Sequence, residues 1–136
     1  MKYLRYLVLL IWLMTSGNLA IIFAQVPGGF TFEGLSRTYT VYIPSSYIPG
    51  DELPLLLALH GLTQTGNIMM QFSDFNTYAE QYRFIVVYPD GVGNTWNVGF
   101  NGGTNTNDVG FLSALIDTLH YQYNIDLGRV YSTGFS

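Results

Sequence analysis

Ser136 closes the run Arg129-Val-Tyr-Ser-Thr-Gly-Phe-Ser136, directly after an apolar stretch and a Gly-x dipeptide. A serine at a sharp strand-to-helix turn can serve as an acyl-transfer nucleophile, because the bend lifts its hydroxyl off the sheet. A glycine two residues earlier keeps the bend free of collisions with neighbouring backbone. Gly134-x-Ser136 supplies the first half of the pattern Gly-x-Ser-x-Gly, whose second glycine would be residue 138. On its own, Gly-x-Ser marks an ordinary turn far more often than a reactive serine. Acyl transfer also needs backbone N–H groups that hold the developing oxyanion. The loop His60-Gly61-Leu62, which leaves the apolar run 53–59, offers one, and the Leu62 N–H is the candidate donor. His60 itself reads as a packed histidine at a tight turn rather than as a general base.

These residues need a scaffold that brings two strand ends together. Residues 31–33 and 37–43 read as a hairpin around Gly34-Leu35-Ser36, the second strand alternating polar and apolar residues. Leu53-Pro-Leu-Leu-Leu-Ala-Leu59 is apolar on both faces, as a strand between two helical layers is. Residues 67–83 carry a broken helical pattern with Phe75, Tyr78, Ala79 and Tyr82 at helix spacing, and Phe84 to Tyr88 is a second buried strand stopped by Pro89-Asp90-Gly91. Residues 91–106 form a Gly/Asn/Thr-rich loop that holds Trp96 and Phe100. Asn107 or Asp108 can cap a helix running to about Tyr123, with Leu112, Leu115, Ile116, Leu119 and Tyr123 as its apolar stripe. Residues 130–133 then read as a third inner strand. Alternating strands and helices imply an α/β fold: a mostly parallel sheet with flanking helices and an N-terminal antiparallel hairpin.

Composition narrows the class further. With 49% hydrophobic and 10% charged residues, 136 residues suffice for one compact domain. Lys2 and Arg5, an apolar run over 7–14, a polar break at 15–18, a second apolar stretch and Ala24-Gln25 follow the order of a secretory signal cleaved after Ala24. An uncleaved anchor is the rival, since a bilayer span needs roughly 18–20 apolar residues. The expected domain layout is therefore a signal at 1–24 and a globular part at 25–136. Beyond residue 24 three arginines face nine carboxylates, a formal charge of −6, which disfavours nucleic acid. The chain has no cysteine, so neither disulfides nor thiolate metal sites are available to it.

The set Arg37-Thr-Tyr-Thr-Val-Tyr-Ile-Pro44, Leu53 to Gly61, Phe84-Ile-Val-Val-Tyr-Pro-Asp-Gly91, Thr95-Trp96-Asn97, Asn107-Asp-Val-Gly-Phe-Leu112 with Leu115-Ile-Asp117, and Arg129 to Ser136 resembles the secreted polyhydroxybutyrate depolymerase and feruloyl esterase family. The resemblance covers residues 30–136 and implies the N-terminal half of an α/β-hydrolase fold. It implies a secreted carboxylic-ester hydrolase, extracellular or periplasmic, that acts through an acyl-enzyme on a polyester or a plant cell-wall ester. It also implies a Ser-Asp-His triad in that chain order, with Ser136 as nucleophile and the acid and base beyond it. The fragment by itself is then expected to be inactive. No metal or organic cofactor is implied, no nucleic-acid partner, and no stable membrane association once the signal is removed. Trp96 matches the family's Trp-Asn stretch and is either a substrate-lining residue or an anchor for its loop. Asp90 and Asp108 match positions that look structural. After His-Gly the family commonly has a cysteine and more glycines, where this chain has Leu62-Thr63-Gln64-Thr65-Gly66. Alternatives are a carbohydrate acetyl esterase or serine peptidase on the same fold, or a secreted carbohydrate-binding module presenting Trp96 and Phe100.

Overall fold

The computed structural model describes residues 25–99 and 104–136. The expected signal at 1–24, and Phe100 of the long loop, lie outside the described residues.

The chain folds into a five-stranded sheet between two helical layers. In chain order, β1 is Gln25–Phe32, β2 Leu35–Tyr42, β3 Leu53–Leu59 and β4 Ile85–Pro89. Strand β5 is Ile125–Gly134; helices α1, α2 and α3 are Gly66–Ser73, Phe75–Tyr82 and Asp108–Tyr123. The strand order is β1-β2-β4-β3-β5. Strands β3, β4 and β5 are parallel, while β2 joins β4 antiparallel and carries β1 as a hairpin. All three parallel strands thus end at one edge of the sheet.

The hairpin differs from its expected form. Its turn is Glu33-Gly34, both with positive φ (48° and 79°), as a two-residue turn that follows the strand twist requires. The first strand reaches back to Gln25, through Pro27, Gly28 and Gly29. Those residues carry no strand signal, yet an edge strand tolerates them, and Phe30 and Phe32 pack against Phe111 at 5.6 and 6.3 Å between ring centroids.

Strand β3 is apolar on both faces because each face meets a different layer. Leu53, Leu55 and Leu57 join Tyr39, Val41, Ile85, Val87, Phe111, Leu115 and Leu119 under α3. Ala58, with Val86 and Tyr88, meets Met69, Met70 and Ala79 of α1 and α2 on the other face. The expected single broken helix is two, separated by Asp74 in the left-handed region (φ 54°), whose carboxylate accepts from the Thr77 hydroxyl. Of the apolar positions of the second helix, Ala79 is fully buried while Tyr78 and Tyr82 are exposed. Helix α3 is capped by the Asn107 side chain, which accepts from the Gly110 N–H at 3.0 Å, and it ends at Asn124 in the left-handed region. Among the described strands β5 lies at an edge of the sheet, and none pairs with its outer side.

Candidate active site

The parallel register sets the geometry of the edge where β3 and β5 end. Leu59 pairs with Gly134, and the Phe135 N–H donates to the Leu59 carbonyl at 3.2 Å. Two residues beyond Leu59 and one beyond Gly134, Gly61 and Phe135 touch: a Cβ on Gly61 would stand 2.9 Å from the Phe135 carbonyl oxygen. Only glycine allows this approach, so the loop after β3 can close over the end of β5. The next residues outward are Leu62 and Ser136.

Ser136 is exposed and lies two residues past the end of β5, with a φ of 59° in the left-handed region. A non-glycine residue there costs on the order of 1 kcal/mol, so the bend is a conformation that side-chain sterics oppose. The Leu62 N–H has no hydrogen-bond partner among the described residues. Its neighbours are occupied: the Gly61 N–H donates to Gln64 Oε1, Thr63 N–H to the Asn94 carbonyl, and Gln64 N–H to the Gly61 carbonyl. The loop is thus fixed on both sides of a free donor, which suits a group that must point at a developing negative charge.

His60 is 2% exposed, and both of its ring nitrogens are engaged. Nε2 accepts from the Gly91 N–H at 2.9 Å, so Nδ1 carries the proton and donates to the Gly61 carbonyl at 2.8 Å. No ring nitrogen remains to take a proton from Ser136. Trp96 lies against this histidine, with ring centroids 4.9 Å apart, and its Nε1 donates to the His60 carbonyl at 2.9 Å. These contacts tie the long loop to the strand end; the indole is only partly buried.

Two carboxylates hold the surrounding loops. Asp90 accepts from the Gly66 N–H and from the Thr38 hydroxyl, each at 2.8 Å, joining the start of α1 to β2. Asp108 is 5% exposed; Oδ1 meets Arg37 Nη2 at 2.8 Å, and Oδ2 accepts from the Asn97 N–H at 2.7 Å and from the Thr106 hydroxyl. The Arg37 guanidinium carbon stands 3.7 Å above the Phe111 ring centroid. Sequence reasoning placed Asp108 at a helix start but missed its partner. The signal was in the strand pattern, since alternation puts Arg37 on the same inward face as Tyr39 and Val41.

The edge therefore gathers Gly134-Phe135-Ser136, the Leu62 loop and Trp96, and it brings in no general base. His120 is half-buried at the opposite end of β5, where Nδ1 donates to the Ile125 carbonyl at 2.7 Å. Over the length of β5 that is roughly 30 Å from Ser136. Among the described residues no three His, Asp or Glu side chains converge as metal ligands, and no helix is long and apolar enough to cross a membrane.

A family model described as "Putative esterase" matches residues 34–119. The bifunctional acetylxylan esterase/xylanase XynS20E of Neocallimastix patriciarum is 40% identical over 106 residues, which is 76% of this chain and 15% of that protein. The solved acetyl xylan esterase from Aspergillus awamori superposes with a TM-score of 0.62 at 26% identity, over 80% of this chain and 42% of its own. A ferulic acid esterase from Anaeromyces mucronatus superposes with a TM-score of 0.62 over 83% of this chain and 48% of its own; at 16% identity it shares the fold alone. The chain thus spans less than half the length of each of these relatives. The sheet order, the crossover helices and the matched family together place it: this chain belongs to the esterase family and carries part of an α/β-hydrolase fold.

Proposed function

We propose that residues 25–136 supply the nucleophile and one oxyanion donor of a serine carboxylic-ester hydrolase that acts on plant cell-wall esters. The observation that carries this reading is the pairing of a bent, exposed Ser136 with an unengaged Leu62 N–H across the Gly61–Phe135 contact. The Ser136 hydroxyl attacks the ester carbonyl, the oxyanion rests on the Leu62 N–H and the N–H after Ser136, and an acyl-enzyme forms as the alcohol leaves. Water then releases the acid. A histidine and an acidic residue beyond position 136 act as base and orienter, since His60 has no free ring nitrogen. Trp96, partly buried beside this edge, presents its open face to the substrate.

Two of the relatives named above carry acetylxylan or acetyl xylan in their descriptions, which favours an ester on a polysaccharide over a polyhydroxybutyrate polyester. Such a substrate is met outside the cell, so residues 1–24 serve as an export signal removed after Ala24. N-terminal sequencing of the exported product checks that cleavage, and a product that still begins at Met1 contradicts it.

The central test uses the polypeptide of the complete reading frame. A fluorophosphonate probe is expected to label Ser136, and Ser136→Ala is expected to lower kcat on 4-nitrophenyl acetate by roughly 10⁶. Labelling elsewhere, or an active alanine variant, sinks the assignment. Parallel assays on acetylated xylan, methyl ferulate and polyhydroxybutyrate film separate the substrate classes, and turnover of the film alone would reverse the preference for a cell-wall ester.

A further inference from the structure

A polar cleft of about 510 Å³ opens on the same edge of the sheet, at the end of β4. Ser36 and Thr38 of β2 form one wall, Thr65 and Asn67 at the start of α1 another, and Asp90 to Asn94 the third. Strand β2 runs antiparallel to β4, with Tyr39 opposite Pro89, so the start of β2 lies beside the end of β4. The cleft is joined directly to the loop of the oxyanion donor, since the Asn94 carbonyl accepts from the Thr63 N–H at 2.9 Å, and Thr63 follows Leu62. Cleft, Leu62 loop and Ser136 then stand at the ends of β4, β3 and β5, three consecutive strands spanning about 10 Å.

The chemistry of the walls selects the ligand. The side chains of Ser36, Asn67 and Asn94 are exposed and have no hydrogen-bond partner among the described residues. Two amides and a hydroxyl each offer a donor and an acceptor, which is what a hydroxyl group asks of its site. Asn94 is held for this use in the left-handed region (φ 60°), after Gly93 at φ 63°. Charge recognition is absent. The one cation of the lining, Arg37, is 2% exposed and paired with Asp108, and Asp90 is occupied by Gly66 and Thr38. An anionic ligand would find no counter-charge, and an apolar one would leave the amides unpaired.

We propose that this cleft is a subsite for the hydroxyl groups of a neutral sugar chain, holding the backbone of an esterified polysaccharide while one of its esters reaches Ser136. The inference rests on the esterase reading and names the substrate class of that site. A chain-like substrate laid along the edge contacts the cleft with one part and the nucleophile with another. A small ester occupies only the second.

Unacetylated xylotetraose, titrated calorimetrically into the polypeptide of the complete reading frame, tests the cleft without chemistry. Wild type and Ser136→Ala are expected to bind it equally, and Asn67→Ala combined with Asn94→Ala to bind at least tenfold more weakly. Both asparagines are exposed, so the fold survives, which thermal melting checks; Ser36→Ala, on the opposite wall, should weaken binding in the same direction. In turnover, the double variant should raise KM for acetylated xylotetraose at least tenfold, with a loss on 4-nitrophenyl acetate at least fivefold smaller. Wild type that fails to bind xylotetraose, or a double variant that binds it as wild type does, overturns the cleft even if esters are hydrolysed. Binding with the expected variant pattern but without ester hydrolysis supports the cleft and overturns the esterase reading instead.

Discussion

In the mechanism proposed above Leu62 contributes a backbone N–H rather than a side chain, and the residue is 63% exposed. Function and side-chain identity are therefore separable at this position. Leu62→Pro removes the donor and should lower kcat on 4-nitrophenyl acetate by roughly 10²–10³, whereas Leu62→Ala keeps the N–H and should cost less than tenfold. Steady-state kinetics of the two variants decide the matter, and equal losses would deny the N–H its role. His60 shows the opposite case, a residue of catalytic type spent on structure. Its ring bridges the Gly91 N–H and the Gly61 carbonyl and stacks on Trp96, fixing the two loops that frame the edge.

Elements are held to one another by few polar groups, each joining segments far apart in sequence. The Arg37–Asp108 pair links β2 to α3 and, through the Asn97 N–H, to the loop that carries Trp96. Asp108→Asn leaves the buried guanidinium without its counter-charge and should destabilise the fold by about 3 kcal/mol, read from the urea midpoint. A shift of a few tenths would show that the pair contributes little. Glu80 of α2 accepts from the Tyr42 hydroxyl and from the N–H and hydroxyl of Ser45 at 2.7–2.8 Å, tying α2 to the end of β2. Desolvation raises its pKa, but the bonds from Ser45 and Tyr42 outweigh it and hold the carboxyl below its ordinary value of 4.5. A depressed folded-state pKa gives stability that is present above the ordinary value and lost as pH falls through the folded one. Glu80→Gln should therefore flatten the acid limb of the stability curve below about pH 4.5, measured by denaturant midpoints at stepped pH. An unchanged limb would place the acid sensitivity elsewhere.

At the scale of the whole sheet, the two lateral edges differ in the apolar surface beside them. Among the described strands β1 and β5 both leave an outer side unpaired, and β5 exposes Leu127, Tyr131 and Phe135 along with its edge. Beside it lies an apolar groove of about 280 Å³ lined by Pro54, Leu56, Tyr82, Phe84 and Tyr131. An unpaired strand edge next to apolar surface promotes association. The 136-residue chain should elute as oligomers in size-exclusion chromatography with light scattering, and Tyr131→Lys should shift it towards monomer. A monomeric wild type with a cooperative melt would show that this edge is harmless.

The sequence by itself determined the local things. Short runs of Leu, Val and Ile bounded by Pro, Gly and Asp read as strands buried on two faces, so β3, β4 and the α/β class were legible. The α3 stripe and its Asn107 cap were legible for the same reason, and the Gly134-x-Ser136 bend was visible as a motif. It misjudged residues whose roles depend on a neighbour distant in the chain. Pro27-Gly28-Gly29 become a strand only because β2 lies beside them. Tyr78 and Tyr82 stay outside although they stand at helix spacing with the buried Ala79. Arg37 meets Asp108, and His60 meets Gly91 and Trp96, only once the parallel register has aligned the strand ends. Periodicity reports whether a residue faces a core, whereas pairing across a sheet is decided by the packing of whole elements. That packing alone sets Ser136 next to the loop of Leu62.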